Sequence, residues 1–207
     1  MLDVGCGTGT MLGYLARYGA AEGVDMDEEA IEYCRARGLE KVTRADAENL
    51  PFPSSTFDLV TAFDIVEHTD DDLRVLSEFA RVLKPGGTLL VSVPAYMFLW
   101  GAQDEISLHK RRYVASQLRA RLESAGFQLQ KLTYMNAILF GPIAAIRLVR
   151  RLLPKPPEVK SDFTFPAPRF ANGFLAAAFG AERFAVRRFD IPFGVSIAAV
   201  ARKPVTP

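Results

Sequence analysis

Gly5, Gly7 and Gly9 stand at alternate positions after the short apolar run Leu2-Asp3-Val4, just ahead of a helical stretch. A residue without a Cβ lets the chain turn at positive φ and lets a ligand lie against backbone, while a following helix aims its free N–H groups at the same place. The three glycines read as the floor of a nucleotide-like site, with Cys6 a small filler between two of them. A G-x-G-x-x-G spacing suits a dinucleotide pyrophosphate. Here the spacing is G-x-G-x-G with an acid, Asp3, inside the strand, which fits that ligand poorly. Asp25 ends a second apolar run and is placed to accept from ribose hydroxyls. Asp46 lies just past a third run, and Phe63, Asp64, Glu67 and His68 lie at the edge of a fourth. The chain has two histidines, His68 and His109, and an imidazole serves as a base near neutral pH. His109 belongs to Asp104–Tyr113, which gathers an acid pair, an imidazole, two guanidiniums and a phenol. Arg111 and Arg112 there suit a clamp on a carboxylate or phosphate, with His109 or Tyr113 beside a reacting atom. Trp100, Tyr96 and Phe98 supply either aromatic walls or core. The competing reading of 104–113 is a surface loop with Asp104 or Glu105 paired to arginine.

These groups need a scaffold that brings distant segments to one edge. Short apolar runs near 2–5, 22–25, 41–44, 57–62 and 87–93 alternate with helical stretches near 10–19, 28–37 and 70–83. Such alternation predicts parallel crossover units and a doubly wound α/β sheet that binds ligands at the strands' C-terminal ends. Asp27 or Asp70 caps a following helix, and Pro85-Gly86-Gly87 stops one helix and turns into the fifth strand. Ala125-Gly126-Phe127 ends another helix before a sixth strand, and 194–202 has the β-branched and small residues of a seventh. With 207 residues, 49% of them hydrophobic and 24% charged, the chain suits a single domain.

In this order the segments resemble the class I S-adenosylmethionine-dependent methyltransferases, especially the small-molecule branch that includes quinone-biosynthesis enzymes. The likeness rests on Leu-Asp-Val-Gly-Cys-Gly-Thr-Gly (2–9), Glu-Gly-Val-Asp (22–25), Arg-Ala-Asp-Ala-Glu-Asn-Leu-Pro-Phe (44–52), Phe-Asp-Leu-Val-Thr-Ala-Phe-Asp-Ile-Val-Glu-His (57–68) and Leu-Lys-Pro-Gly-Gly (83–87). It implies a mostly parallel, seven-stranded, Rossmann-like sheet with a helical, lid-like insertion at 134–188, and S-adenosylmethionine as cofactor. Asp3, Gly5, Cys6, Gly7 and Gly9 would face its methionine part and ribose, Asp25 the ribose and Asp46 the adenine amino group. Met26, Ala47, Phe63 and Asp64 complete that set. An acidic rim repels a pyrophosphate and suits a sulfonium and an ammonium.

The implied reaction is methyl transfer to a small or lipid-like acceptor, at oxygen, with His68 or His109 as base and Arg111, Arg112, Tyr113 and Trp100 on the acceptor. Related quinone O-methyltransferases hold a divalent metal in an acidic cluster ending in Glu-His, which Asp64, Glu67 and His68 match in part. Many relatives carry Glu-His without metal, so none is expected here. The other readings are a non-catalytic S-adenosylmethionine-binding module and a nicotinamide-dependent oxidoreductase, the latter disfavoured by the glycine spacing. A nucleic-acid substrate is disfavoured too, since no Asn-Pro-Pro-Tyr-type tetrapeptide follows the fourth strand. Family members usually carry helices ahead of the first strand that cover the cofactor. Here the strand follows Met1 directly, so the expectation is either a truncated reading frame or domain, or a cover supplied by a segment from elsewhere.

Cys6 and Cys34 have neither metal nor redox spacing, and no charged-then-apolar leader follows Met1, which suits a cytoplasmic protein. Residues 1–108 hold 8 Lys+Arg and 19 Asp+Glu, whereas 109–207 hold 17 and 5. Either the basic half meets an anionic acceptor, membrane or partner, or the charges interleave in the fold. The apolar run from Leu132 to Ile146, broken by Asn136, Gly141 and Pro142, is too short to span a bilayer. From Pro142 to Leu153, arginines take one helical face and Ile146, Val149 and Leu153 another. That pattern fits either peripheral membrane contact through 142–153 or an amphipathic helix packed on the sheet. A Pro-rich loop (154–168) and an Ala- and Phe-rich helix near 169–188 follow.

Overall fold

The computed structural model describes residues 1–152 and 169–205, so the Pro-rich loop at 154–168 and Leu153 lie outside the described residues. Seven strands form one sheet in the order β3-β2-β1-β4-β5-β7-β6. In chain order these are β1 (Leu2–Val4), β2 (Glu22–Asp25), β3 (Val42–Arg44), β4 (Phe57–Phe63), β5 (Leu83–Pro94), β6 (Gln128–Met135) and β7 (Ser196–Arg202). β1 to β5 pair in parallel, whereas β7 runs antiparallel between β5 and β6. This is the mostly parallel, doubly wound sheet expected. Strand order reverses between β1 and β4, and the crevice at such a switch point is where ligands bind.

Burial on both faces explains the strand sequences. Leu2, Val4, Val60, Ala62, Leu89, Val91 and Val93 have almost no exposed surface, as parallel strands covered by helices require. The helices are α1 (Thr10–Leu15), α2 (Glu28–Ala36), α3 (Asp72–Val82), α4 (Ala102–Ile106), α5 (Ala115–Ser124), α6 (Ala137–Leu152) and α7 (Arg169–Arg188). α3 packs through Val75, Leu76, Phe79 and Val82, spaced three and four apart on one stripe.

Several boundaries differ from the sequence reading. α1 stops at Leu15 rather than 19: Arg17 and Tyr18 donate to Tyr14 and Leu15 in tight turns, and Gly19 sits at φ 157°. Asp27 caps α2 by accepting from Glu29 N, but Asp71 rather than Asp70 caps α3, through Arg74 N. β5 begins at Leu83, ahead of the Pro-Gly-Gly turn, because Leu83 pairs with Phe57. α6 starts at Ala137 and carries Pro142 within it. α6 and α7 leave from β6 and return to β7, the place expected for the insertion.

The division of charge along the chain is partly cancelled by folding. Lys110 reaches Asp70 at 2.6 Å, and Arg111 and Arg121 reach Asp72 Oδ2 at 3.4 and 3.2 Å.

Candidate functional site

Gly5 and Cys6 donate their backbone N–H groups to Val24 O, so the loop after β1 crosses the end of β2. Gly5 sits at φ +69°, and a Cβ there would overlap Ile65 Cδ1; Gly7, at φ +50°, has nothing within 4 Å of its missing Cβ. The two glycines therefore differ in role: one is packed, the other opens onto free space. The N–H of Gly7 is not free for an anion, because it donates to Asp25 Oδ2 at 2.8 Å; Asp27 N donates to Asp25 Oδ1 at 3.0 Å. α1 follows at Thr10, and no side chain caps its first N–H groups.

Beside this loop lies a cleft of about 430 Å³ at the C-terminal ends of β1, β2 and β4. Gly5, Asp25, Met26, Asp46, Ala47 and His68 line it, all of them singled out from the sequence. Asp3, Cys6, Gly7, Gly9, Phe63 and Asp64 do not line it. Cys6 and Cys34 are buried free thiols behind the loop, where Cys34 Sγ donates to Gly7 O. The lining also includes Glu48, Thr69, Asp70 and Lys110, which the sequence reading missed. Lys110 is 40 residues from Asp70, its ion-pair partner on the rim, and no spacing rule links them. Four carboxylates against one paired lysine make the rim acidic.

Under the cleft, Asp3 is buried. Its Oδ1 accepts from Thr61 Oγ1 at 2.6 Å, and its Oδ2 has no hydrogen-bond partner. Burial raises its pKa to about 6, against the lowering effect of the Thr61 bond. A buried carboxylate oxygen without a donor, open space at Gly7 and an acidic rim all fit a ligand that brings positive charge, as the methionine end of S-adenosylmethionine does.

A second constellation adjoins the cleft through His68. β4 ends at Phe63, and the 3-10 turn Val66–His68 carries Glu67 and His68. The backbone N–H of Lys110 donates to Glu67 O and ties this turn to the segment after α4. The rings of His68 and His109 then meet edge to face, with centroids 4.7 Å apart. His109 Nδ1 lies 2.9 Å from Asp104 Oδ1, and Arg112 grips the same carboxylate through Nε at 2.7 Å and Nη2 at 3.1 Å. Gly101 N supplies a further bond to Asp104 Oδ2 at 2.8 Å. Burial would raise the Asp104 pKa, but the Arg112 bonds and charge outweigh it and hold it low. Asp104 is therefore an anion that fixes His109 with its Nδ1 proton inward and Nε2 free. Nε2 faces Glu67 Oε1 at 3.9 Å. Glu67 is fully buried with both carboxyl oxygens unpartnered. Burial, then the nearby Asp64 charge, push its pKa up to about 8. Burial and the His109 charge lower that of His68.

The arginine clamp expected on an acceptor is spent inside the protein. Arg112 holds Asp104 and Ala95 O, and Arg111 holds the carbonyls of Thr69 and Asp70. Tyr113 is buried with its hydroxyl on Asp72 Oδ2 at 3.0 Å. The local pairing considered as the competing reading is thus present as Asp104–Arg112, buried rather than on the surface. Trp100 is half-buried ahead of α4. Tyr96 stacks on Tyr134 at 5.1 Å and touches Phe98 and Phe140, which in turn touches Phe193, so the aromatic wall is a row of five rings. Among the described residues, the atoms suited to a metal are those of Glu67, His68 and His109, all within 4.8 Å of one another. Asp64 is not in that group, and its Oδ1 accepts from Ser92 Oγ at 3.2 Å.

Residues 2–91 match the family described as a methyltransferase domain. A protein of Mycobacterium tuberculosis, named as a probable S-adenosylmethionine-dependent methyltransferase, is 31% identical over 99% of this chain and 77% of its own length. A ubiquinone biosynthesis O-methyltransferase of Vibrio cholerae is 33% identical over 66% of this chain and 64% of its own. Among solved structures, the [4+2]-cyclase SpnF is similar with a TM-score of 0.62 and 27% identity, covering 99% of this chain and 75% of that one. A phosphoethanolamine N-methyltransferase of Haemonchus contortus in complex with S-adenosyl-L-methionine shares the fold, with a TM-score of 0.60, 21% identity and coverage of 99% and 48%.

Proposed function

The chain belongs to the class I S-adenosylmethionine-dependent methyltransferases, and on that premise we propose that it methylates an oxygen of a small or lipid-like acceptor, with His109 as the base. The observation that carries this reading is the Arg112–Asp104–His109 chain, which fixes the His109 imidazole against His68 of the cleft wall. The similarity to a ubiquinone O-methyltransferase supports an oxygen acceptor.

Bound S-adenosylmethionine supplies a methyl group on a sulfonium, a carbon already activated toward in-line displacement. The protein's task is alignment and removal of one proton. Asp25 would hold the ribose hydroxyls with the lone pairs left over from Gly7 N and Asp27 N, and Asp46 would hold the adenine amine. Asp3 Oδ2, buried without a donor, would face the positive methionine end. His68, kept neutral by burial, walls the cleft on the side of His109. His109 Nε2 would take the proton that the acceptor hydroxyl gives up on methylation, and Asp104 would stabilise the resulting imidazolium. Glu67, neutral below about pH 8, adds little negative charge on the Nε2 side.

The test follows a labelled methyl group from S-adenosylmethionine to a panel of phenols, catechols and hydroxylated lipids. An ether product is expected. The His109→Gln change should cut turnover by about 10²- to 10⁴-fold and leave cofactor affinity unchanged. An N-methylated product, or full activity in that variant, overturns the reading.

A further inference from the structure

An amphipathic helix on a sheet hides its apolar stripe and shows its charges to water. α6 does the reverse. Ile138, Pro142, Ala145, Ile146, Leu148 and Val149 are solvent-exposed, at the three- and four-residue steps that mark one helical face. Leu148 is 63% exposed and Val149 56%. Arg147, the one charged residue between Ala137 and Val149, turns inward against Gly101, where a Cβ would collide with its guanidinium.

The surface beside this stripe is basic and aromatic. Glu182 of α7 accepts from Ala137 N at 3.1 Å, so the last turns of α7 lie at the start of α6. Those turns and the residue after them expose Phe184 and Phe189, 60% and 67% accessible, with Arg183, Arg187 and Arg188. Arg183 stands over the Phe184 ring at 4.8 Å. Residues 137–189 carry nine Lys+Arg against three Asp+Glu. A second copy docked face to face would bring two such basic surfaces together, which like-charge repulsion opposes. A contiguous exposed apolar face flanked by arginines matches an interface of acyl chains beneath anionic headgroups. No helix among the described residues is long and apolar enough to cross a membrane, so the contact is peripheral.

We propose that α6 and the last turns of α7 dock on an anionic lipid surface, the α6 stripe at the acyl boundary and the α7 arginines among the phosphates. The test is flotation of the full chain with vesicles of phosphatidylcholine alone and of phosphatidylcholine with about 30 mole per cent phosphatidylglycerol, at low and raised salt. Binding to the anionic vesicles should be roughly tenfold stronger and fall with salt. Replacing Leu148→Ser with Val149→Ser should lower binding to them, and Arg187→Gln with Arg188→Gln should remove the preference for them. Calorimetry with S-adenosylhomocysteine on the same proteins should be unchanged, which keeps the docking separate from the cofactor reading. Binding to neither vesicle, equal binding to both, wild-type binding by the serine variant, or a dimer in sedimentation that covers the stripe overturns the proposal.

Discussion

Gly7 N donates to Asp25 Oδ2 at 2.8 Å across 18 residues, which makes the acid proposed to hold the ribose also the anchor of the glycine loop. Asp25→Ala therefore removes an acceptor for the cofactor and the tie that shapes the loop. S-adenosylmethionine affinity should fall at least about tenfold, and stability by about 1 kcal/mol for the lost hydrogen bonds. Isothermal titration and urea unfolding measure the two effects. Wild-type affinity would refute the ribose assignment.

Gly5 and Gly7 separate packing from ligand space. Gly5→Ala meets Ile65 and a positive φ, and should destabilise by roughly 2 kcal/mol or more. Gly7→Ala carries conformational strain of about 1 kcal/mol and meets no protein atom, and its methyl group would stand where the proposed function lays the methionine part of the cofactor, at the edge of the cleft that Gly5 lines. It should cost more affinity than stability. Thermal melts with and without S-adenosylhomocysteine distinguish the two variants.

Asp104 is a positioning residue whose loss strands Arg112. Asp104→Ala should lower stability by about 3–5 kcal/mol, because the guanidinium is buried and unpaired afterwards. Asp104→Asn, which keeps the shape, should fold better. It should also shift the pH–rate profile of methyl transfer, since an imidazolium at His109 loses its counter-charge. An unchanged profile argues against His109 as base.

Glu67 makes stability fall with pH. Its folded pKa of about 8 lies above the unfolded value of 4.5, so below 4.5 both states are protonated and the group contributes no penalty. Between 4.5 and about 8 the unfolded state has lost the proton that the folded state keeps. Unfolding free energy then declines by at most about 1.4 kcal/mol per pH unit. Glu67→Gln should flatten this decline. Urea midpoints at pH 5 through 9 provide the comparison, and parallel curves for the two proteins would contradict the burial effect.

Asp3 carries the same sign over a lower window, from 3.8 to about 6. A positive ligand end beside Oδ2 favours the ionised form, so S-adenosylmethionine should bind more tightly as pH rises from 5 to 7, and Asp3→Asn should abolish that rise. Titration calorimetry across this range checks it.

The cofactor side of the site was legible because it is local. A glycine loop needs particular backbone angles, and acids at strand ends sit within a few residues of apolar runs that announce those ends. Asp25, Asp46 and Gly5 line the cleft, whereas Gly7 and Gly9 of the same spacing do not, and the alternating periodicity matches the doubly wound sheet. The acceptor side is a matter of tertiary contact. That Arg112 faces Asp104 rather than an acceptor, that Glu67 is buried against His109, and that Lys110 closes on Asp70 follow from packing the segment after β5 onto the turn after β4. The orientation of α6 belongs there too: the pattern of Arg147, Ile146 and Val149 told of two faces, but only the tertiary structure sets the Arg147 face against Gly101 and the Ile146 and Val149 face toward solvent.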